Sequence, residues 1–150
     1  MVKKKSIDEF LSSKRLAVVG ASRSERKFGN SAFKELKAKG YSVYPVNPYA
    51  KTISGEDCYS SLSELRGKVD GALVAVKPEQ SEKVVREAAS AGIRRIWLQQ
   101  GSESDAAIRF CEEYGLNVVY GQCILMFAEP SAFFHRMHKG VNKIFGKLPK

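Results

Sequence analysis

Short apolar runs alternate with amphipathic helical spacing along most of this chain, and that alternation constrains the fold more than any other feature. The runs over 15–20, 41–46, 71–76, 95–98 and 117–120 have the length and residue content of strands. Helical spacing occupies 6–13, 30–39, 81–91 and 102–114, with one or two further turns over 61–66. Strands separated by helices cannot pair as tight hairpins. They specify a mainly parallel, five-stranded sheet with right-handed crossovers and helices on both faces, a doubly wound α/β fold.

The residues at the boundaries agree. Ser6 and Glu9 read as a capping box for a first helix whose apolar face is Ile7, Phe10 and Leu11. Gly40, Gly92 and Gly115 each follow a helical stretch, as left-handed cap residues do. Gly71-Ala72-Leu73-Val74-Ala75-Val76 is apolar throughout, the pattern of a strand covered on both faces. Asn47-Pro48 stops the second strand and Lys77-Pro78 the third, because proline has no N–H to give a ladder. Residues 53–59 read as irregular, with a turn at Ser54-Gly55.

A length of 150 residues, 43% hydrophobic and 27% charged, suits one globular domain with a single core, taken as 1–130, followed by a tail over 131–150. No apolar run approaches the roughly 18 residues of a membrane span. Met1-Val2-Lys3-Lys4-Lys5 runs into Asp8 and Glu9 rather than an apolar core, which argues against a secretory signal. Cys58, Cys111 and Cys123 are odd in number and lack metal-ligand spacing, which suits a reducing cytoplasm and no zinc site. The net charge of +9 implies attraction to anions without choosing among nucleic acid, phosphorylated cofactors and membrane surfaces.

Ligands of doubly wound sheets sit at the carboxyl ends of the strands, near the point where strand order reverses. Four segments fall there: Gly20-Ala21-Ser22, Asn47-Pro48, Val76-Lys77-Pro78 and Gln99-Gln100-Gly101. The first leads through a polar loop carrying Arg23, Arg26 and Lys27 to Gly29-Asn30-Ser31, which opens a helix. Free backbone N–H groups and the positive end of the helix dipole meet an anion at such a junction. Gly20 is then expected to let a ligand approach the backbone closely; a tight turn with no ligand is the alternative. A dinucleotide site needs G-x-G-x-x-G and an acid at the end of the second strand for the ribose. Here the loop is longer and Val46-Asn47-Pro48 brings no acid, so NAD(P) is the weaker reading. Three cations suit a ligand with several phosphates, or else a solvated loop.

Taken in order, these segments resemble a known family. Gly20-Ala21-Ser22, Lys27 with Gly29-Asn30, Gly40-Tyr41 leading to Val46-Asn47-Pro48, Gly55, and Tyr59 with Leu62 carry the first half of the resemblance. Val69-Asp70, Val76 with Pro78, Gly92, Ile96-Trp97-Leu98-Gln99 with Gly101, and Gly115 to Cys123 carry the second. The chain is similar to the small CoA-binding proteins, which share the Rossmann-like domain at the N-terminus of the succinyl-CoA synthetase α subunit. The resemblance covers about 6–129. It implies that Gly20, Ala21, Ser22, Arg26, Lys27 and Gly29, with Asn30 beside them, hold the CoA phosphates. It implies that Asn47 and Pro48 border the adenosine, that Val76, Lys77 and Pro78 line the pantetheine arm, and that Gln99, Gln100 and Gly101 lie near its far end. CoA or an acyl-CoA is the ligand so implied, and its phosphates suit Arg and Lys better than a ribose-binding acid would.

Cys123 is the one candidate nucleophile. Its thiolate could form a mixed disulfide with CoA or attack a thioester if a cation lowered its pKa, with His135 and His138 the available imidazoles. The plainer reading is a small buried cysteine and two surface histidines. No acid pair has a convincing acid–base spacing, and no histidine lies near Gly101 to be phosphorylated as a complete synthetase would need. The chain therefore reads as a binder or partial module rather than an enzyme. Trp97, between Ile96 and Leu98, belongs in the core. In the tail, Phe133 or Phe134, with Met137, Val141, Ile144 and Phe145, opposes Arg136, Lys139, Lys143 and Lys147. That pattern is an extra amphipathic helix that packs on its own domain or on a second copy in a homodimer. A basic membrane-surface or nucleic-acid helix is the sharper alternative, and nucleic acid ranks last because no element presents stacking aromatics.

Overall fold

A computed structural model describes residues 3–20, 28–53 and 55–127, the side chain of Phe28 excepted. The predicted tail over 131–150 lies outside the described residues. The chain forms helix α1 (Lys4–Leu11), strand β1 (Arg15–Val19), α2 (Phe28–Ala38), β2 (Ser42–Val46), the short strands β3 (Thr52–Ile53) and β4 (Glu56–Asp57), β5 (Gly71–Val74), α3 (Pro78–Ser90), β6 (Arg95–Gln99), α4 (Asp105–Glu113) and β7 (Asn117–Gln122). A single 3-10 turn at Leu62–Leu65 lies between β4 and β5, and another at Ile124–Met126 follows β7. Five strands build one parallel sheet in the order β2-β1-β5-β6-β7, the Rossmann-like α/β arrangement expected.

Alternation along the strands sorts the core into two layers. Ala17, Val19, Ala72, Val74, Ile96 and Leu98 face Val85 and Ala88 of α3 and Phe110 and Cys111 of α4. Leu16, Val18, Leu73, Trp97 and Val119 face Ile7 and Phe10 of α1 and Phe33 and Leu36 of α2. Trp97 is fully buried, as its neighbours in sequence require. Phe10 meets it edge-on at 5.4 Å and Phe127 lies 6.0 Å away, centroid to centroid. The indole Nε1–H donates to the carbonyl of Gln122 at 3.0 Å, which satisfies its one polar group.

Several boundaries differ from the expected ones, each for a local reason. Helix α1 starts upstream of Ser6, with Lys3 at its N-cap and no side-chain cap, so the Ser6–Glu9 capping box does not form. Lys4 and Asp8 pair across the first turn instead, at 3.5 Å. Pro78 does not merely end a strand. It occupies the first position of α3, where the missing N–H has no intrahelical acceptor and the fixed φ suits a helix. The strand itself stops at Val74, and Ala75 N–H makes the next bond to Val19 O at 2.8 Å. Helix α4 starts at Asp105 rather than at 102, capped by Ser104, whose hydroxyl accepts from Ala107 N–H at 3.1 Å. Ser102 is buried and receives the hydroxyl of Ser81 on its carbonyl, tying the start of α3 to the β6–α4 loop. The segment expected to be irregular contains the antiparallel pair β3–β4, anchored by buried Ile53 and by an ion pair between Glu56 and Lys37 of α2.

At the amino ends of the strands, Asp70 clamps β1 to β5. Its Oδ2 accepts from Lys14 N–H at 3.3 Å and Arg15 N–H at 3.1 Å, and its Oδ1 accepts from the Arg15 guanidinium at 2.8 Å. The Arg15 side chain, chiefly through that hydrogen bond, holds the Asp70 carboxyl below its usual range. A group depressed on folding contributes stability above its unfolded value and loses it as the pH falls through its folded value. Asp70→Asn is expected to cost about 1 kcal/mol at pH 7, after allowing for solvent screening. In urea titrations the gap from wild type should close as the pH drops below about 4. A gap that persists in acid would mean that the charge is not what Asp70 contributes.

Candidate functional site

Strand order reverses between β1 and β5, since β2 lies on one side of β1 and the rest of the sheet on the other. A crevice opens at the carboxyl ends of the strands at such a point. Gly20, Val76, Lys77, Pro78 and Gly101 line a cleft of about 470 Å³ there. These five predicted residues are thus brought together from the ends of three strands. Gln80, in the first turn of α3, lines the same cleft. The helical spacing in the sequence begins at 81 and leaves Gln80 outside; with Pro78 as the first helical position, Gln80 falls on the opening turn.

Gly20 has a positive φ of 103°. A Cβ placed on it would lie 2.1 Å from the carbonyl oxygen of Ala75. The chain leaving β5 therefore packs directly against this glycine, and no side chain is accommodated here. Beside it, Gly20 N–H donates to Val46 O at 3.2 Å, which places the end of β2 against the start of the first loop. Asn47 and Pro48 occupy that end. Asn47 Oδ1 accepts from Tyr49 N–H at 2.7 Å, so the side chain shapes its own turn. Gly29 and Asn30 are buried in the first turn of α2. Ala21, Ser22, Arg26 and Lys27 lie outside the described residues.

The third group separates by role. Gln99 is buried, and its Oε1 accepts from Ile124 N–H at 3.1 Å. Its side chain holds the turn after β7 and is spent inside the protein. Gln100 is exposed, and its N–H donates to Gln122 O at 3.1 Å. Gly101 reaches the cleft, and its N–H points at the Glu103 carboxylate, at 3.2 and 3.3 Å from the two oxygens. That end of the cleft is thus already supplied with negative charge. Lys77 in the same lining brings a positive charge to the cleft as well.

Cys111 is buried in α4, and desolvation pushes its thiol up to about 12. Burial also pushes the Cys58 thiol up. Neither offers a thiolate near neutral pH. Cys123 is half-buried at the head of the Ile124–Met126 turn, next to the Gln122 carbonyl that binds Gln100. His135 and His138 lie outside the described residues. Among the described residues no group of three or more His, Cys, Asp or Glu could hold a metal ion, and no helix is long and apolar enough to cross a membrane.

Residues 14–129 match the family model of the CoA binding domain. The chain belongs to that family. A relative of similar size, the uncharacterized protein YneT of Bacillus subtilis, is 34% identical over 81% of this chain and 90% of its own length. The α subunit of ADP-forming acetate–CoA ligase II from Pyrococcus furiosus is 27% identical over 79% of this chain, which spans only 28% of that subunit. Among solved structures, a conserved hypothetical protein from Pyrococcus furiosus superposes with a TM-score of 0.72 at 40% identity, covering 75% of this chain and 97% of that one. A dinucleotide-forming acetyl-coenzyme A synthetase from Ca. Korarchaeum cryptofilum, in complex with phosphate and ADP, superposes with a TM-score of 0.63 at 30% identity, over 70% of this chain and 25% of that one. This CoA-binding domain therefore occurs both as a small protein and as one part of much longer ligases.

Proposed function

We propose that this domain binds CoA or an acyl-CoA and does no chemistry of its own, acting as a carrier or regulatory module in the cytoplasm. The observation that carries the reading is the match of residues 14–129 to the CoA binding domain family. Between β1 and α2 the sequence carries Arg23, Arg26 and Lys27, cations that suit a ligand with several phosphates. At the far end of the cleft, Glu103 sits on Gly101 N–H. The phosphates lie at Gly20, Ala21, Ser22, Arg26, Lys27, Gly29 and Asn30. The arm passes Val76, Lys77 and Pro78 toward Gly101, and the adenosine lies over Asn47 and Pro48. NAD is the weaker fit, because β2 ends in Val46-Asn47-Pro48 and brings no acid to its ribose.

Calorimetry with CoA, acetyl-CoA, NAD and NADP tests the reading. CoA and acetyl-CoA should bind and NAD should not; tight NAD binding without heat from CoA would sink it. Lys27→Ala is expected to weaken CoA by about tenfold, the worth of a charged hydrogen bond, and to spare pantetheine lacking a phosphate. Equal losses for both would remove Lys27 from the phosphate site.

A further inference from the structure

The carboxyl edge of the sheet carries a feature that the cleft does not use. The chain leaves β2 at Val46 and turns at once through Asn47, Pro48, Tyr49 and Ala50. That turn is pinned from several sides. Asn47 N–H donates to Tyr59 O at 2.8 Å, and Ala50 N–H donates to Asn47 O at 3.4 Å. The Asn47 side chain takes Tyr49 N–H at 2.7 Å. Ala50 packs on the apolar layer below, and Pro48 has its φ locked by its ring. On this rigid base stands Tyr49, 86% exposed, against 58% for Tyr114 and 76% for Met126. A single exposed ring needs no explanation by itself. Its place does, because Val46 O receives Gly20 N–H and the turn therefore begins beside the first residue of the phosphate loop.

We propose that Tyr49 is the platform on which the purine base of the ligand stacks, and so the residue by which this domain distinguishes CoA from its pantetheine portion. The inference rests on the CoA reading above. A base is held by a flat ring that faces solvent and does not have to be ordered first. Tyr49 offers one with only two side-chain torsions, on a backbone already fixed by its turn. The direction of the ligand agrees. With phosphates at the Gly20 loop and the arm running over β5 toward Gly101, the adenosine must extend the other way, over β2, where Tyr49 stands.

Calorimetry of the full chain with CoA and with 4′-phosphopantetheine decides the matter, using wild type, Tyr49→Ala, Tyr49→Phe and, as a control far from the cleft, Tyr114→Ala. Tyr49→Ala is expected to weaken CoA by about tenfold, within the range of a base–aromatic stack, and to leave 4′-phosphopantetheine unchanged. Tyr49→Phe should keep the CoA affinity, and Tyr114→Ala should change neither ligand. Because Tyr49 is exposed, the unliganded Tm of Tyr49→Ala should equal that of wild type, which separates a lost contact from a lost fold. CoA affinity in Tyr49→Ala within about twofold of wild type, or an equal loss for both ligands, overturns the platform and leaves the CoA reading standing. No CoA binding by wild type overturns both.

Discussion

Gly20→Ala is expected to lose about 3 kcal/mol of folding stability, a large share of what a domain of this kind possesses. Two costs add. The backbone at this position has φ +103°, a conformation that a side chain makes unfavourable by roughly 1–2 kcal/mol. The new methyl would also lie 2.1 Å from Ala75 O, so one of two backbones must move. That carbonyl belongs to the segment whose N–H still bonds Val19, so it is not free to swing away. Gly121→Ala supplies the comparison. Its φ is also positive, at 73°, but nothing lies within 4 Å of the added Cβ. It should lose only the conformational part, about 1 kcal/mol. Urea denaturation of the two variants reads the difference directly. Equal losses would mean that β1 and the exit of β5 separate without resistance, and that the cleft wall is softer than its packing implies.

Trp97→Ala should cost about 4 kcal/mol, the usual toll for removing a large buried aromatic. The ring touches Phe10 of α1 on one side and Phe127 after β7 on another, so its loss unpins two ends of the same layer. Trp97→Phe separates the terms. It keeps most of the apolar volume but leaves the Gln122 carbonyl without the indole N–H, and a loss of about 1–2 kcal/mol is expected. Thermal unfolding followed by circular dichroism checks both, since the sole tryptophan is gone from each variant. If Trp97→Phe proved as damaging as Trp97→Ala, the hydrogen bond to Gln122 rather than the packing would dominate this corner of the core.

Much of this was legible in the chain. The runs at Leu16 and Gly71, the helical spacing between them and the glycines at helix ends are local signals, and local signals survive without knowledge of the fold. The errors share a cause. Ser6 looked like a cap, yet α1 starts two residues earlier, where Lys4 can pair with Asp8 across the first turn. Pro78 looked like a stop for a strand because only the tertiary placement of Ala75 shows that the strand has already ended. Thr52–Ile53 and Glu56–Asp57 carry too few residues to give a strand pattern, and they pair because Ile53 has a core to enter.

The same division holds at the site. By itself the sequence determined that Gly20, Asn47, Val76 and Gly101 fall at the ends of parallel strands, because strand periodicity and turn residues are written locally. Only the tertiary structure decided what each does there. Gly20 makes room for Ala75, Gln99 turns inward to Ile124, and Glu103 takes the N–H of Gly101. Each of these contacts is set by the path of the chain through space. Side-chain direction and the proximity of a second backbone depend on register and packing, and a linear pattern carries neither.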